Sequence, residues 1–144
     1  NEMAVPEIVN YVDATFNTIA DKQHRAIAGL SMGGMHTLMI TANYPDMFNY
    51  IGLYSAGVDF THINMEAIPA YANLDGKLSK LAQSNPKLYW IACGNADWLM
   101  ESNKQLMERM DKDGLKYTFH ESSRGHLWSN WRQYSLLFIP QLFK

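Results

Sequence analysis

Cysteine is almost missing from this chain. Cys93 is the only one in 144 residues, so no internal disulfide can form and no thiolate cluster of the zinc-binding kind can be assembled. Charge is scarce as well. Asp, Glu, Lys and Arg make up 18% of the residues and leave a net charge of −2 with no basic stripe, which argues against nucleic acid as a partner. No apolar run approaches the roughly 20 residues that cross a bilayer. No spacing of histidines and carboxylates suggests a metal, and no motif asks for a cofactor. Linkers, repeats and low-complexity tracts are absent, which predicts a single domain over residues 1–144. What the chain does have is 47% hydrophobic and 12% aromatic residues, enough for a core. Cys93 ends an apolar run and reads as a buried small residue.

The apolar runs alternate in period. Val5, Ile8, Val9, Val12, Phe16 and Ile19 form a helical stripe, with Pro6 near its first turn. Arg25 to Ala28 reads as a buried strand, and Gly34 to Ala42 as a helix that stops before Pro45. Strands follow at Tyr50 to Ser55, Lys87 to Cys93 and Lys116 to Glu121. Between the last two, Asn103 to Lys112 is expected to be a helix burying Leu106, Met107 and Met110. A final helix presents Leu127, Trp131, Tyr134, Ser135 and Phe138, with Pro140 ending it. The irregular stretch from Gly57 to Pro86 is expected to hold a short helix and part of a substrate rim. Strands and helices in alternation predict an α/β fold with a parallel sheet.

Chemistry concentrates at Gly29-Leu30-Ser31-Met32-Gly33, a G-x-S-x-G run between a strand and a helix. That context makes it a nucleophile elbow, in which glycines allow close approach and Ser31 stands free in a strained turn. The Met32 amide, at the positive end of the new helix, faces any oxyanion formed there. A triad built on such an elbow continues with an acid and then a histidine. Asp97 follows the strand ending at Cys93, and His126 follows the next strand, with Gly125 expected to let the chain turn. Ser31, Asp97 and His126 would thus share one edge of the sheet.

Other candidates fit less well. His120 lies inside a strand, His24 precedes the elbow strand at its far end, His36 falls on the elbow helix, and His62 has no partner spacing. Asp59, after the strand at Tyr50 to Ser55, is the alternative acid. Glu101 and Glu121 read as surface charges. Trp98 follows the acid and is expected to form a pocket wall, whereas Trp131 and Tyr134 read as core.

The segments HRAIAGLSMGG, YPDMFNYIGLYSAG, LYWIACGNAD and GHLWSNWR resemble the esterase D-type branch of the α/β-hydrolases. Within it they are most similar to the feruloyl and acetyl-xylan esterases of carbohydrate esterase family 1, and the likeness runs from about Pro6 to the C-terminus. The resemblance implies an α/β-hydrolase fold and a cofactor-free serine esterase acting on acyl groups of plant cell-wall polysaccharide. It also implies a secreted or periplasmic setting, Ser31 as nucleophile, Asp97 as acid, His126 as base and Met32 in the oxyanion hole. S-formylglutathione hydrolase, or a general short-acyl esterase, is the alternative within the fold. A non-catalytic carbohydrate-binding remnant is the alternative outside enzymology. Catalytic domains of this family carry several strands ahead of the elbow, and here the elbow arrives at residue 31. The chain is therefore expected to be the C-terminal half of such a domain, with the loop bearing the second oxyanion amide outside it. Its N-terminal half, or a second copy, is then expected to cover the open side of the elbow strand.

Overall fold

The computed structural model describes residues 4–62 and 64–144. Four strands form one parallel sheet in the order β1-β2-β3-β4: β1 (Ala26–Leu30), β2 (Tyr50–Tyr54), β3 (Leu88–Gly94) and β4 (Thr118–Ser122). Helices α2 (Met32–Asn43), α3 (Leu74–Ser84) and α4 (Met100–Lys112) make the three crossovers, and α5 (Trp128–Phe138) follows β4. Helix α1 (Val5–Thr15) precedes the sheet. A parallel sheet needs cover on both faces. The alternating side chains of the strands provide for it: Ile51, Leu53, Tyr89 and Ile91 join α2, α3 and α4 in one core, while Tyr50, Tyr54, Trp90 and Ala92 meet Trp131, Tyr134 and Phe138 of α5 in the other.

The expected elements are present, with shifts that have physical causes. Helix α2 begins at Met32 rather than Gly34, because the elbow turns within the single residue Ser31. The short helix expected between Gly57 and Pro86 is the three-turn α3, whose Leu74, Leu78 and Leu81 are buried. Its polar residues lie between those leucines and mask the stripe. The first helix stops at Thr15, with Phe16 extended, so the stripe does not run on to Ile19. Val5 and Val9 touch the core, but Ile8, Phe16 and Ile19 are exposed. Ile8 and Ile19 border an open apolar cavity of about 620 Å³ together with Val12, Ala26 and Phe48. On α5, Leu127 is exposed rather than part of the buried face, since it precedes the first helical turn.

Among the described residues no strand lies on the outer side of β1, and a groove of about 390 Å³ runs along that strand beside α5. None of the residues of β1 is fully buried, whereas all five of β2 are. No helix among the described residues is long and apolar enough to cross a membrane.

Candidate active site

Parallel strands bring their carboxyl ends to one edge, and register aligns them closely: Leu30 pairs with Tyr54, and Gly94 with Ser122. The loops leaving β1, β3 and β4 therefore open side by side. The first is the elbow. Ser31 has φ 53° and ψ −119°, an unfavourable backbone for a residue with a Cβ. It is held by its neighbours. Its N–H donates to the Tyr54 carbonyl at 2.9 Å, and its carbonyl accepts from Gly57 N–H at 2.8 Å and from Gly34 N–H at 3.0 Å. Gly29 is required by close approach, because a Cβ there would stand 2.1 Å from the Gly33 carbonyl oxygen. Helix α2 could then not start where it does.

The other two loops pack backbone against backbone. Ala96 N–H donates to the Arg124 carbonyl at 3.0 Å, and Asn95 N–H to the Ser122 carbonyl at 2.8 Å. Gly94 makes this possible, since a Cβ would lie 2.2 Å from the Arg124 oxygen. The sharp turn expected at Gly125 is instead made by Arg124, at φ 71°. Gly125 serves close approach, with the Ala96 oxygen 2.9 Å from where its Cβ would be.

The result is a continuous line of contacts. His126 Nε2 lies 2.9 Å from Ser31 Oγ, and His126 Nδ1 lies 3.0 and 3.2 Å from the two Asp97 carboxylate oxygens. A carboxylate only accepts, so Nδ1 carries the proton and Nε2 is left to accept from the serine hydroxyl. The Asp97 side chain is fully buried, and its Oδ1 also accepts from Leu99 N–H at 2.9 Å. Asn103, buried on α4, braces this loop by donating to the Leu99 carbonyl at 2.8 Å and to the Ala56 carbonyl at 3.0 Å. Asn103 carries no recognisable motif, and the sequence reading missed it.

Met32 opens α2, so its amide is one of the helix N–H groups with no intrahelical acceptor. Gly57 lies close by: a side chain there would come within 3.3 Å of the Met32 nitrogen. Trp98 is 74% exposed, and its ring sits 5.3 Å from the His126 imidazole. Trp128 is exposed too and packs on the buried Trp131 at 5.2 Å.

The other candidates lie elsewhere. Asp59 sits in an exposed turn against His62, not His126; N–H groups of His62 and Thr61 hold its carboxyl down to about 2. His24 pairs with Asp21 at the opposite end of β1. His120 stacks on Trp90 at 5.8 Å under α5. The Cys93 thiol is buried and free; burial first, then the nearby Asp97 charge, pushes it up to about 12, which keeps it protonated and unreactive. Among the described residues no group of three or more His, Cys, Asp or Glu could hold a metal ion.

A parallel sheet with an elbow serine, a histidine within hydrogen-bond reach and an aspartate behind it defines an α/β-hydrolase. The chain belongs to the Esterase family, whose model matches residues 3–137. It is similar to an endo-1,4-beta-xylanase/feruloyl esterase of Xylanibacter ruminicola, with 50% identity over 56 residues, 39% of this chain and 8% of that protein. It is also similar to an acetyl esterase of Caldicellulosiruptor saccharolyticus, with 26% identity over 89% of this chain and 58% of that protein. Among solved structures, a fluorophosphonate-binding serine hydrolase F of Staphylococcus aureus shares the fold, with a TM-score of 0.78 and 21% identity over 99% of this chain and 63% of that one. The chain thus spans little more than half of the acetyl esterase and a small part of the xylanase/feruloyl esterase.

Proposed function

We propose that this chain carries the catalytic residues of a serine carboxylic-ester hydrolase, acting on feruloyl or acetyl esters of plant cell-wall polysaccharide. The observation that carries the reading is the 2.9 Å approach of His126 Nε2 to Ser31 Oγ, with Asp97 on the other imidazole nitrogen. His126 takes the hydroxyl proton as Oγ attacks the ester carbonyl, and Asp97 holds the ring and stabilises the imidazolium. The tetrahedral oxyanion meets the Met32 amide and the positive end of α2. His126 then gives its proton to the departing alcohol. Water, activated by the same histidine, attacks the acyl-enzyme and frees Ser31; no cofactor enters.

The acyl preference rests on Trp98. A large exposed ring next to the general base offers a stacking face to a phenolic acid and nothing comparable to an acetyl group. Stacking worth about 0.5–1.5 kcal/mol corresponds to roughly a twofold to tenfold change in affinity. Trp98→Ala should therefore raise KM for methyl ferulate by that factor and leave KM for p-nitrophenyl acetate unchanged, measured side by side. Equal effects would make Trp98 structural, and turnover of the acetate alone would favour a general short-acyl esterase.

The outer edge of β1, which no strand among the described residues covers, is the natural place for a partner: further strands of the same protein, or a second copy, pairing along that edge and covering the groove beside α5. Sedimentation of the isolated 144-residue chain should show dimers or larger species. A sharp monomer boundary at all concentrations contradicts this.

A further inference from the structure

Ser55 and Trp131 have no part in the steps above, yet both are buried, and Trp131 packs against the triad histidine. Trp131 is 8% exposed and lies one turn into α5, its ring 4.8 Å from the His126 imidazole and nearly perpendicular to it at 86°. Its indole N–H donates to Ser55 Oγ at 3.3 Å. Ser55 is completely buried immediately after β2 and holds φ 46°, in the left-handed region that glycine fills without strain. Its own N–H donates to the Ala92 carbonyl of β3 at 2.7 Å, which anchors it to the sheet.

The residues on either side of Ser55 hold the nucleophile. Tyr54 accepts from Ser31 N–H at 2.9 Å, and Gly57 donates to the Ser31 carbonyl at 2.8 Å. One short segment, 54–57, therefore fixes the backbone of Ser31 and, through the Trp131 indole, the plane against which His126 rests. A contact between nucleophile and base is only as well defined as the frame that holds both. A serine rather than glycine at this strained position keeps the hydroxyl that the indole needs.

We infer that Ser55 is a positioning residue: by locking Trp131 it sets the imidazole of His126 relative to Ser31. The inference rests on the esterase reading and deepens it. Trp131, which reads as core in the sequence, then acts as the wall that stops His126 from turning away when its proton moves.

The test compares Ser55→Gly, Trp131→Phe and their combination in the full protein. Glycine relaxes the left-handed backbone, so Ser55→Gly should melt within a few degrees of wild type. Its kcat for p-nitrophenyl acetate should fall about tenfold with KM unchanged, because the loss is of alignment and not of substrate contact. Phosphonylation of Ser31 by a fluorophosphonate should slow by the same factor. Trp131→Phe, which keeps a ring but no N–H, should match it, and the double variant should be no worse than Trp131→Phe alone, since both act along one path. Ser55→Asn, which tolerates the left-handed region and restores an acceptor, should recover part of the loss. Wild-type kcat in Ser55→Gly, or losses that multiply in the double variant, would overturn the positioning role while leaving the esterase reading intact. Failure of the unmodified protein to react with phosphonate at Ser31 would overturn both.

Discussion

Ser31→Ala should lower kcat/KM for p-nitrophenyl acetate by about five orders of magnitude, the scale on which loss of a serine nucleophile acts. KM should barely move, because Oγ contributes reaction and not ground-state binding. The structure should survive the change. Ser31 is held by its backbone, through Tyr54, Gly57 and Gly34, and none of these bonds uses the hydroxyl. Among the described residues, the hydrogen bond that alanine removes is the one to His126 Nε2. A variant that keeps its fold and its KM but loses turnover is the signature of a nucleophile. A loss of activity that follows a loss of folding would say nothing of the kind, so the melting curve is part of the measurement.

Asp97→Asn is expected to cost about 10⁴-fold in kcat, whereas Asp59→Asn should stay within about twofold of wild type. The difference comes from what each carboxylate faces. Asp97 is buried against His126 Nδ1 and accepts from Leu99 N–H as well. An amide there can turn its NH₂ toward the ring, which favours the tautomer with a proton on Nε2 and leaves no base for Ser31. Asp59 lies in an exposed turn whose N–H groups an asparagine oxygen accepts equally well. His126→Ala should be as damaging as Ser31→Ala, since it removes the base itself. A crippled Asp59→Asn beside a nearly normal Asp97→Asn would transfer the acid's role to the strand before.

The site was more legible in the sequence than the frame around it. Ser31, Asp97 and His126 could be placed on one edge because strand-end loops of a parallel sheet share it, and because Gly29 marks an approach of strand and helix that a Cβ would block. The wall of the site was harder to see. Trp131 has helical spacing with Tyr134 and Phe138, so its place in the core was readable, but its indole bond to Ser55 joins residues far apart in the chain. A left-handed serine leaves no signature, as its neighbours read like any strand end. Arg124 hid in the same way, next to a glycine that looked like the turn residue. Helix α3 was legible only as a short helix somewhere between Gly57 and Pro86, because its leucines are spaced among charges and serines. The first helix erred in the other direction: its apolar stripe is real, yet Ile8 and Ile19 border an open cavity and Phe16 is exposed, instead of forming a packed face.

The central claim is that Ser31 is the nucleophile, and the most direct measurement is the site of covalent reaction with a fluorophosphonate. After labelling, digestion with trypsin and fragmentation by mass spectrometry, the adduct is predicted on Ser31 within the peptide Ala26–Lys77, and it should be absent from Ser31→Ala and from His126→Ala. An adduct on Ser55 or another residue, or an unlabelled protein that nevertheless hydrolyses esters, would contradict the account.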